Sequence, residues 1–347
     1  MDISTYTQKT AKLGLQGYPT TAHFEITHTC NCACSYCYIE KRPQTPMPLQ
    51  KVIDAISILK DNGILYLGLT GGEIFTHPDI VKIFNHALDC DFFGIYLISN
   101  AILITDEHLH FLSNHTSHFK SIQISVFSDN PLEHDRYMGT GALKQTLQIA
   151  DTLQNAGLKV ELTLSPHPFN VHRIGTILDH YGQRGFTISL SPFKLLSSQN
   201  AQELNQHITY EFYKTMLLNL GEHRLSKLKQ TLIQECSKQP KRRGLCCGVL
   251  CSFMIDPAGT IYPCTTFRHY PIGNIFNEPE LKKVFTSPAM QSLKLLSVKD
   301  YQQCTECRYV NFCSLCIGRW HTNTGSFGVI DSQSCNYARA LDDLTRG

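Results

Sequence analysis

The sequence predicts an α/β fold: a parallel sheet of six strands, open or barrel-like, followed by a separate cysteine-rich module. Three observations carry this reading. Strand-like and helix-like segments alternate from residue 22 to residue 190. The alternation stops near Phe193. The 15 cysteines fall mainly into two groups, one near the N-terminus and one in the last third.

The elements follow in order. Ala22-His23-Phe24-Glu25-Ile26 alternates as a strand does and leads into the first cysteines. Residues 49–59 have helical spacing, and Gly63 stands just past their end as a stop. Residues 64–69 form a short, mostly apolar run, as a buried parallel strand would. A helix is expected over 80–88, a strand over 93–98, and a helix over 105–112 with Thr105 as its N-cap. Residues 122–127 read as a strand, and 143–155 as a helix closed by Gly157. The last repeat is a strand over 160–164, a helix over 174–181 and a strand over 186–190. Alternation of this kind builds a parallel sheet, whose ligands sit at the C-terminal strand ends. Residues 199–238 look helical, and the basic run Lys241-Arg242-Arg243 reads as a solvated linker.

Composition narrows the function. At 347 residues the chain is long enough for two domains, or one barrel and an appendage. A hydrophobic share of 42% excludes a disordered chain. The net charge of +2 argues against nucleic acid as the main partner. No apolar run approaches a membrane span, and Met1-Asp2-Ile3-Ser4-Thr5 lacks the pattern of a signal peptide. A soluble, cytoplasmic protein with no membrane partner is therefore expected. Fifteen cysteines cannot all pair internally, and cytosolic thiols stay reduced, so clustered cysteines point to metal or redox chemistry.

The first group reads Cys30-Asn31-Cys32-Ala33-Cys34-Ser35-Tyr36-Cys37. Thiolates this close suit one iron–sulfur cluster. Ligation of a cubane by Cys30, Cys34 and Cys37 leaves one iron open for a non-protein ligand, a catalytic arrangement. The alternative is a closed four-cysteine site that includes Cys32, holding zinc or an electron-transfer cluster.

The C-x3-C-x2-C spacing, with Tyr36 before the last cysteine, resembles the signature of the radical S-adenosylmethionine (SAM) enzymes. The resemblance extends over the alternating region. Thr70-Gly71-Gly72-Glu73 follows the second strand where that family has Gly-Gly-Glu, with Ile74 in place of a frequent Pro. Ser99-Asn100-Ala101 stands where relatives often have Thr-Asn-Gly. Ser125 ends the fourth strand, and His134 to Gly139 resembles a His-Asp-x-x-Arg-Gly segment, with Met138 at the Arg position. The resemblance implies a partial (β/α)6 TIM-like barrel of parallel strands over 21–195, after an extension over 1–20. It implies cluster ligation by Cys30, Cys34 and Cys37. It implies SAM contacts from Tyr36, Gly71, Gly72, Glu73, Asn100 and Ser125. Two glycines let backbone approach a ligand, and a carboxylate can accept from an ammonium group.

The second group contains Cys247, Gly259 and Cys264, then Cys304-x2-Cys307-x5-Cys313-x2-Cys316, and Cys335. It resembles the SPASM extension of radical SAM enzymes, which carries auxiliary 4Fe–4S clusters. That assigns a C-terminal iron–sulfur domain to 246–347, after a helical linker over 196–245. Residues 256–264 resemble the SPASM hairpin. The resemblance implies a first auxiliary cluster on Cys247, Cys251, Cys264 and Cys316. A second falls to Cys304, Cys307, Cys313 and Cys335. Cys32, Cys90, Cys236 and Cys246 remain as free thiols, and Cys246 is an alternative to Cys247. Two zinc-ribbon-like sites are the bland reading of the same pairs.

The implied activity is reductive cleavage of SAM to a 5′-deoxyadenosyl radical, which oxidatively modifies a peptide or protein by dehydrogenation or cross-linking. An electron donor such as flavodoxin or ferredoxin is implied. Only 29 residues precede Cys30, so a separate peptide-recognition protein or residues 199–246 would have to hold a peptide. The alternatives are a small-molecule maturase, such as one decarboxylating a tetrapyrrole side chain, and a non-catalytic zinc or iron–sulfur module. His108, His110, His115 and His118 read as surface residues, and Glu161, Asp256 and Asp331 as structural. No catalytic acid or base is named by sequence.

Overall fold

The computed structural model describes residues 16, 18–39, 45–191, 207–238, 247–313 and 316–346, excepting the side chains of 232–238, 247, 248 and 311. Among them one sheet of nine strands runs in the order β6-β5-β4-β3-β2-β1-β7-β8-β9. Six parallel strands come from the alternating region: β1 (Thr21–Thr27), β2 (Tyr66–Gly71), β3 (Gly94–Ser99), β4 (Phe119–Val126), β5 (Val160–Leu164) and β6 (Thr187–Leu190). The C-terminal part continues the same sheet. β7 (Ser252–Ile255) pairs parallel with the free side of β1, and β8 (Thr260–Tyr262) and β9 (Gly273–Asn274) follow antiparallel.

Helices α1 (Leu49–Asp61), α2 (Ile80–Asp89), α3 (Asp106–Asn114), α4 (Pro131–Met138), α5 (Leu143–Asn155) and α6 (Ile174–Gln183) connect the parallel strands. In α1 the buried residues Val52, Ala55, Ile56 and Leu59 recur at helical spacing. Burial of each large aliphatic chain contributes about 1.5–3 kcal/mol. Thr105 caps α3 as expected: its hydroxyl accepts from His108 N, and His108 Nδ1 accepts from Thr105 N. The helical stretch expected over 199–238 lies partly outside the described residues. Its described part is two helices, α7 (Tyr210–Leu218) and α8 (Glu222–Lys238), separated at Gly221 with φ +88. The C-terminal module adds short helices, among them α9 (Cys247–Cys251) and α10 (Ile317–Thr324), and ends in α11 (Ser332–Arg346). No helix among the described residues is long and apolar enough to cross a membrane.

The strands have two unlike faces. On β4, Ile122, Ile124 and Val126 are buried in the apolar core, while Gln123 and Ser125 face a cavity. On β1, Ala22, Phe24 and Ile26 join the core, while His23 faces the cavity. A parallel sheet covered on both sides is apolar on both faces. Here the inner face is polar because it lines a site.

A buried carboxylate joins the C-terminal module to the sheet. Glu25 on β1 is fully buried. It accepts from Tyr38 Oη at 2.7 Å and is bonded to His28 Nε2 at 2.8 Å. Both terminal nitrogens of Arg268 also reach it, Nη1 at 2.9 Å. The guanidinium lies over the Tyr38 ring, 4.5 Å from its centroid. Burial pushes the Glu25 pKa up, but the His28 hydrogen bond and the Arg268 charge outweigh it and hold the value at about 2.

Removing one partner of a buried pair strands the other charge. Arg268→Met is expected to cost about 3–5 kcal/mol in chemical denaturation, and Glu25→Gln in the same chain to recover much of it. The folded-state pKa of Glu25 lies below its unfolded value. The stabilisation is therefore present above the unfolded value and is lost as pH falls towards about 2. Glu25→Gln should flatten this acid limb.

Candidate active site

A cavity of about 380 Å³ opens at the C-terminal ends of the parallel strands. Cys30, Cys34 and Cys37 stand on one wall with Tyr36 and Met138. The inner-face residues His23, Thr70, Gln123, Ser125, Thr163 and Ser191 line it from the sheet. Ser252, Cys264 and Thr265 bring the C-terminal module to the same space. One cavity thus touches both cysteine groups.

The cysteine loop is held at both ends. At its root, Gly72 N donates to Thr27 O at 2.8 Å and Glu73 N to Thr29 O at 2.9 Å. A Cβ on Gly71 would lie 2.2 Å from Thr27 O, and one on Gly72 2.3 Å from Thr29 O. The close approach these glycines permit is therefore to the strand feeding the loop, although both still line the cavity. Further along, Ala33 N donates to Met138 O at 3.1 Å and Ser35 N to Tyr137 O at 3.0 Å. The end of α4 supports the loop from that side. Sequence reading passed over α4, whose signals were present: Asn130 accepts from Leu132 N and Glu133 N, Pro131 opens the helix, and Gly139 closes it with φ +71.

Glu73 differs from expectation. Its carboxylate is fully buried and accepts from Ser99 Oγ at 2.8 Å, Asn100 N at 2.7 Å and Phe75 N at 3.2 Å. Burial, the largest influence, pushes its pKa up to about 7. It braces the ends of β2 and β3 through three donors of the chain. Asn100 lines the cavity, with Nδ2 donating to Asn31 Oδ1 at 2.8 Å and to Cys32 Sγ at 3.3 Å. Ala101, where the family often has Gly, is buried with φ +65, the backbone shape that favours glycine. Ser125 lies opposite Thr163 on the cavity wall.

Tyr36 stacks on Phe127 with centroids 5.7 Å apart, and its hydroxyl donates to Met138 Sδ at 2.9 Å. Met138 is buried against the loop, with its sulfur 3.7 Å from Cys34 Sγ. Arg136 is exposed and lies over the Tyr137 ring, away from this wall. His134 is buried and accepts from Phe127 N at 3.2 Å. Burial holds its pKa down at about 4, so it is a neutral pin for α4. The surface histidines make local bonds, His110 with Asn114 and His115 with Phe111 O. Asp256 caps its turn through Ala258 N and Thr260 N, and Asp331 binds Arg319 at 2.8 Å.

In the second group, Cys304, Cys307, Cys313 and Cys335 lie close enough to influence one another. Burial and then Cys313, Cys335 and Cys307 push the Cys304 thiol up to about 11. Cys251 is half-buried at the end of α9, Cys264 Sγ lies 2.9 Å from Thr266 Oγ1, and Cys316 begins α10 beside Arg319. The side chains of Cys236 and Cys247, and Cys246 altogether, lie outside the described residues. Among the described residues, no three Cys, His, Asp or Glu side chains converge as the ligands of a single ion do. The floor residues His23, Gln123 and Thr163 were missed from sequence. Their signal was the polar residue at every second position of an otherwise apolar strand.

Residues 24–180 match the family described as the radical SAM superfamily, and residues 246–308 match the SPASM family, an iron–sulfur cluster-binding domain. The antilisterial bacteriocin subtilosin biosynthesis protein AlbA of Bacillus subtilis is 26% identical over 86% of this chain and 67% of its own length. An AdoMet-dependent heme synthase of Nitratidesulfovibrio vulgaris is 24% identical over 90% of this chain and 91% of its own. The fold resembles Streptococcus suis SuiB bound to precursor peptide SuiA, with a TM-score of 0.71 at 17% identity over 95% of this chain and 80% of that one. The chain belongs to the radical SAM superfamily. It is an enzyme of the kind that carries a C-terminal SPASM domain, with SAM and 4Fe–4S clusters as cofactors.

Gly72→Ala tests the root of the loop. Its Cβ would meet backbone oxygens that cannot swing aside. The variant is expected to lose about 1–3 kcal/mol in denaturant unfolding. It should also bind less iron at the first site than wild type under the same reconstitution.

Proposed function

We propose that this enzyme oxidatively modifies a peptide or protein substrate held in the cavity between its two cysteine groups. The observation that carries the reading is that one cavity is lined both by Cys30, Cys34 and Cys37 and by Cys264. A relative named for bacteriocin biosynthesis, matched over most of this chain, supports a peptide. In this reading Cys30, Cys34 and Cys37 hold the SAM-binding cluster. Cys251, Cys264 and Cys316, with Cys247, hold one auxiliary cluster, and Cys304, Cys307, Cys313 and Cys335 the other. Bound SAM and the first cluster supply the 5′-deoxyadenosyl radical that removes a substrate hydrogen atom.

The chain's own residues do the positioning. Gly71 and Gly72 fix the loop that carries the three thiols. Tyr36, stacked on Phe127, offers a ring face for the adenine. Asn100 and Ser125 offer neutral hydrogen-bonding groups to the amino-acid end of SAM. The inner-face hydroxyls and His23 orient the substrate, and the walls shield the radical from water. A reduced flavodoxin or ferredoxin delivers the electron, and a separate protein presents the peptide. The heme synthase relative favours the alternative, a small molecule such as a tetrapyrrole. Against it, no Lys or Arg among the described residues lines the cavity to pair with a carboxylate.

The test is anaerobic. With dithionite and SAM, the reconstituted enzyme should form 5′-deoxyadenosine, and Cys34→Ala should form none above background. A co-expressed peptide library should yield products lighter by two hydrogens with wild type only. Formation of 5′-deoxyadenosine with tetrapyrrole but with no peptide would overturn the peptide reading.

A further inference from the structure

Among the described residues two carboxamides line the cavity, and the chain uses only one of them. Asn100 is committed: Nδ2 donates to Asn31 Oδ1 and Cys32 Sγ, and Oδ1 accepts from Ile102 N at 3.0 Å. Gln123 is not. It stands half-buried on the inner face of β4, beside Ile98 of β3. No hydrogen bond among the described residues involves its side chain, and its oxygen and nitrogen are not sealed from solvent. Its polar neighbours on the wall, Ser125, Thr163, Ser165 and Ser191, are short hydroxyls. Gln123 adds reach, and it carries a donor and an acceptor side by side on one planar group.

A glutamine facing water needs no further role, because solvent satisfies its amide. Two observations set this one apart. It points inward, on a strand whose outward residues Ile122, Ile124 and Val126 are buried in the core. And none of the described residues lining the cavity is Asp, Glu, Lys or Arg. An ionised part of a substrate would lose hydration there without gaining a counter-charge. The part that enters is therefore neutral, and Gln123 can match a neutral polar guest at two points.

We propose that Gln123 is the substrate-recognition residue of this cavity and that the group it reads is an amide. The inference rests on the peptide reading and names the group by which the peptide is held. In an extended peptide the N–H and C=O of one residue point to the same side, as in the bonded pairs of an antiparallel ladder. The side-chain amide of an asparagine or glutamine presents the same pair. The Gln123 carboxamide accepts from the N–H and donates to the C=O, and turned over about its last bond it serves the opposite order equally. Two bonds fix orientation as well as position, so that one C–H is held in place for abstraction. A guest without the pair leaves both polar atoms of Gln123 unmatched, which is a strong means of rejection.

The probe is a peptide that wild type modifies, recovered by its mass from the co-expressed library. Gln123→Met keeps the length of the side chain and removes both bonds. Its kcat/KM on that peptide should fall roughly thirtyfold, the effect of two neutral hydrogen bonds. More 5′-deoxyadenosine should form per modified peptide, because the C–H is no longer held in place. The denaturation midpoint and the SAM affinity, by equilibrium dialysis, should match wild type, since no described residue is bonded to that side chain. Gln123→Glu, of nearly the same shape, loses the donor and brings a charge. It should fall at least as far, and it carries the test where Gln123→Met does not fold. The modified peptides themselves separate the two sources of the amide. Asn or Gln recurring at a fixed place marks a side chain, and no such recurrence marks the backbone. An unchanged kcat/KM in a folded variant overturns the proposal. So does a loss of SAM affinity as large as the loss in kcat/KM, which would place Gln123 at the cofactor. A wild type that modifies no peptide is a different failure: it removes the peptide reading, and this inference falls with it.

Discussion

The carboxylate of Glu25 is the constraint on which the rest of the molecule depends. It sits on β1, the last of the six parallel strands and the one that pairs with β7 of the C-terminal module. A charge buried there is tolerable only if every oxygen is satisfied. Arg268 reaches it from beyond β8, Tyr38 from just after the cysteine loop, and His28 from the strand's own exit. Three separate stretches of chain must therefore arrive at one point before the carboxylate is stable. All three border the cavity, since His23 of β1 and Tyr38 line it and Arg268 follows Cys264 and Thr265. Electrostatic satisfaction of one side chain thus fixes where the two cysteine groups stand relative to each other.

Much of this was legible in the sequence. Each of the strands β1 to β6 fell within a few residues of its expected place, because short apolar runs between helical periods admit little else. Thr105, Gly157 and Gly259 punctuate the chain where local chemistry requires them: a side-chain cap at the first and positive φ at the other two. The cysteine loop was legible because its ligands are close in sequence. What sequence could not give was partnership across long separations. Glu25 reads as one polar residue in an alternating strand, and nothing near it names Arg268. Glu73 reads as an acceptor for a ligand's ammonium group, and nothing near it in sequence names Ser99 and Asn100, its partners at the end of the next strand. The extent of the continuous sheet was hidden for the same reason. The pairing of β1 with β7 joins residues that local periodicity cannot relate.

The departures from the family pattern have local physical accounts. Ala101 keeps the left-handed turn that a glycine would make freely, at the cost of about 1–2 kcal/mol against a buried methyl that recovers part of it. Met138 substitutes a soft, uncharged side chain for a guanidinium, and Tyr36 and Cys34 pack against its sulfur. Arg136, on the exposed side of the same helix, does not restore the charge at that wall. The neighbourhood of the loop is therefore more apolar and richer in sulfur than the motif alone suggests.

The position of β1 also bears on how the chain is made. Strands β1 to β6 leave the ribosome first, yet one edge of β1 is completed only by β7, more than two hundred residues after β1 ends. At ordinary rates of synthesis that interval is on the order of tens of seconds. Throughout it the nascent sheet shows an unpaired edge, and the carboxylate of Glu25 lacks its guanidinium. An exposed edge of this kind invites pairing with another chain. The charge on Glu25, pointing into the half-built interior, would keep that edge hydrated and discourage such pairing. The same carboxylate that locks the finished molecule thus acts as a guard during its assembly, and neutralising it would be felt in the yield of soluble chains.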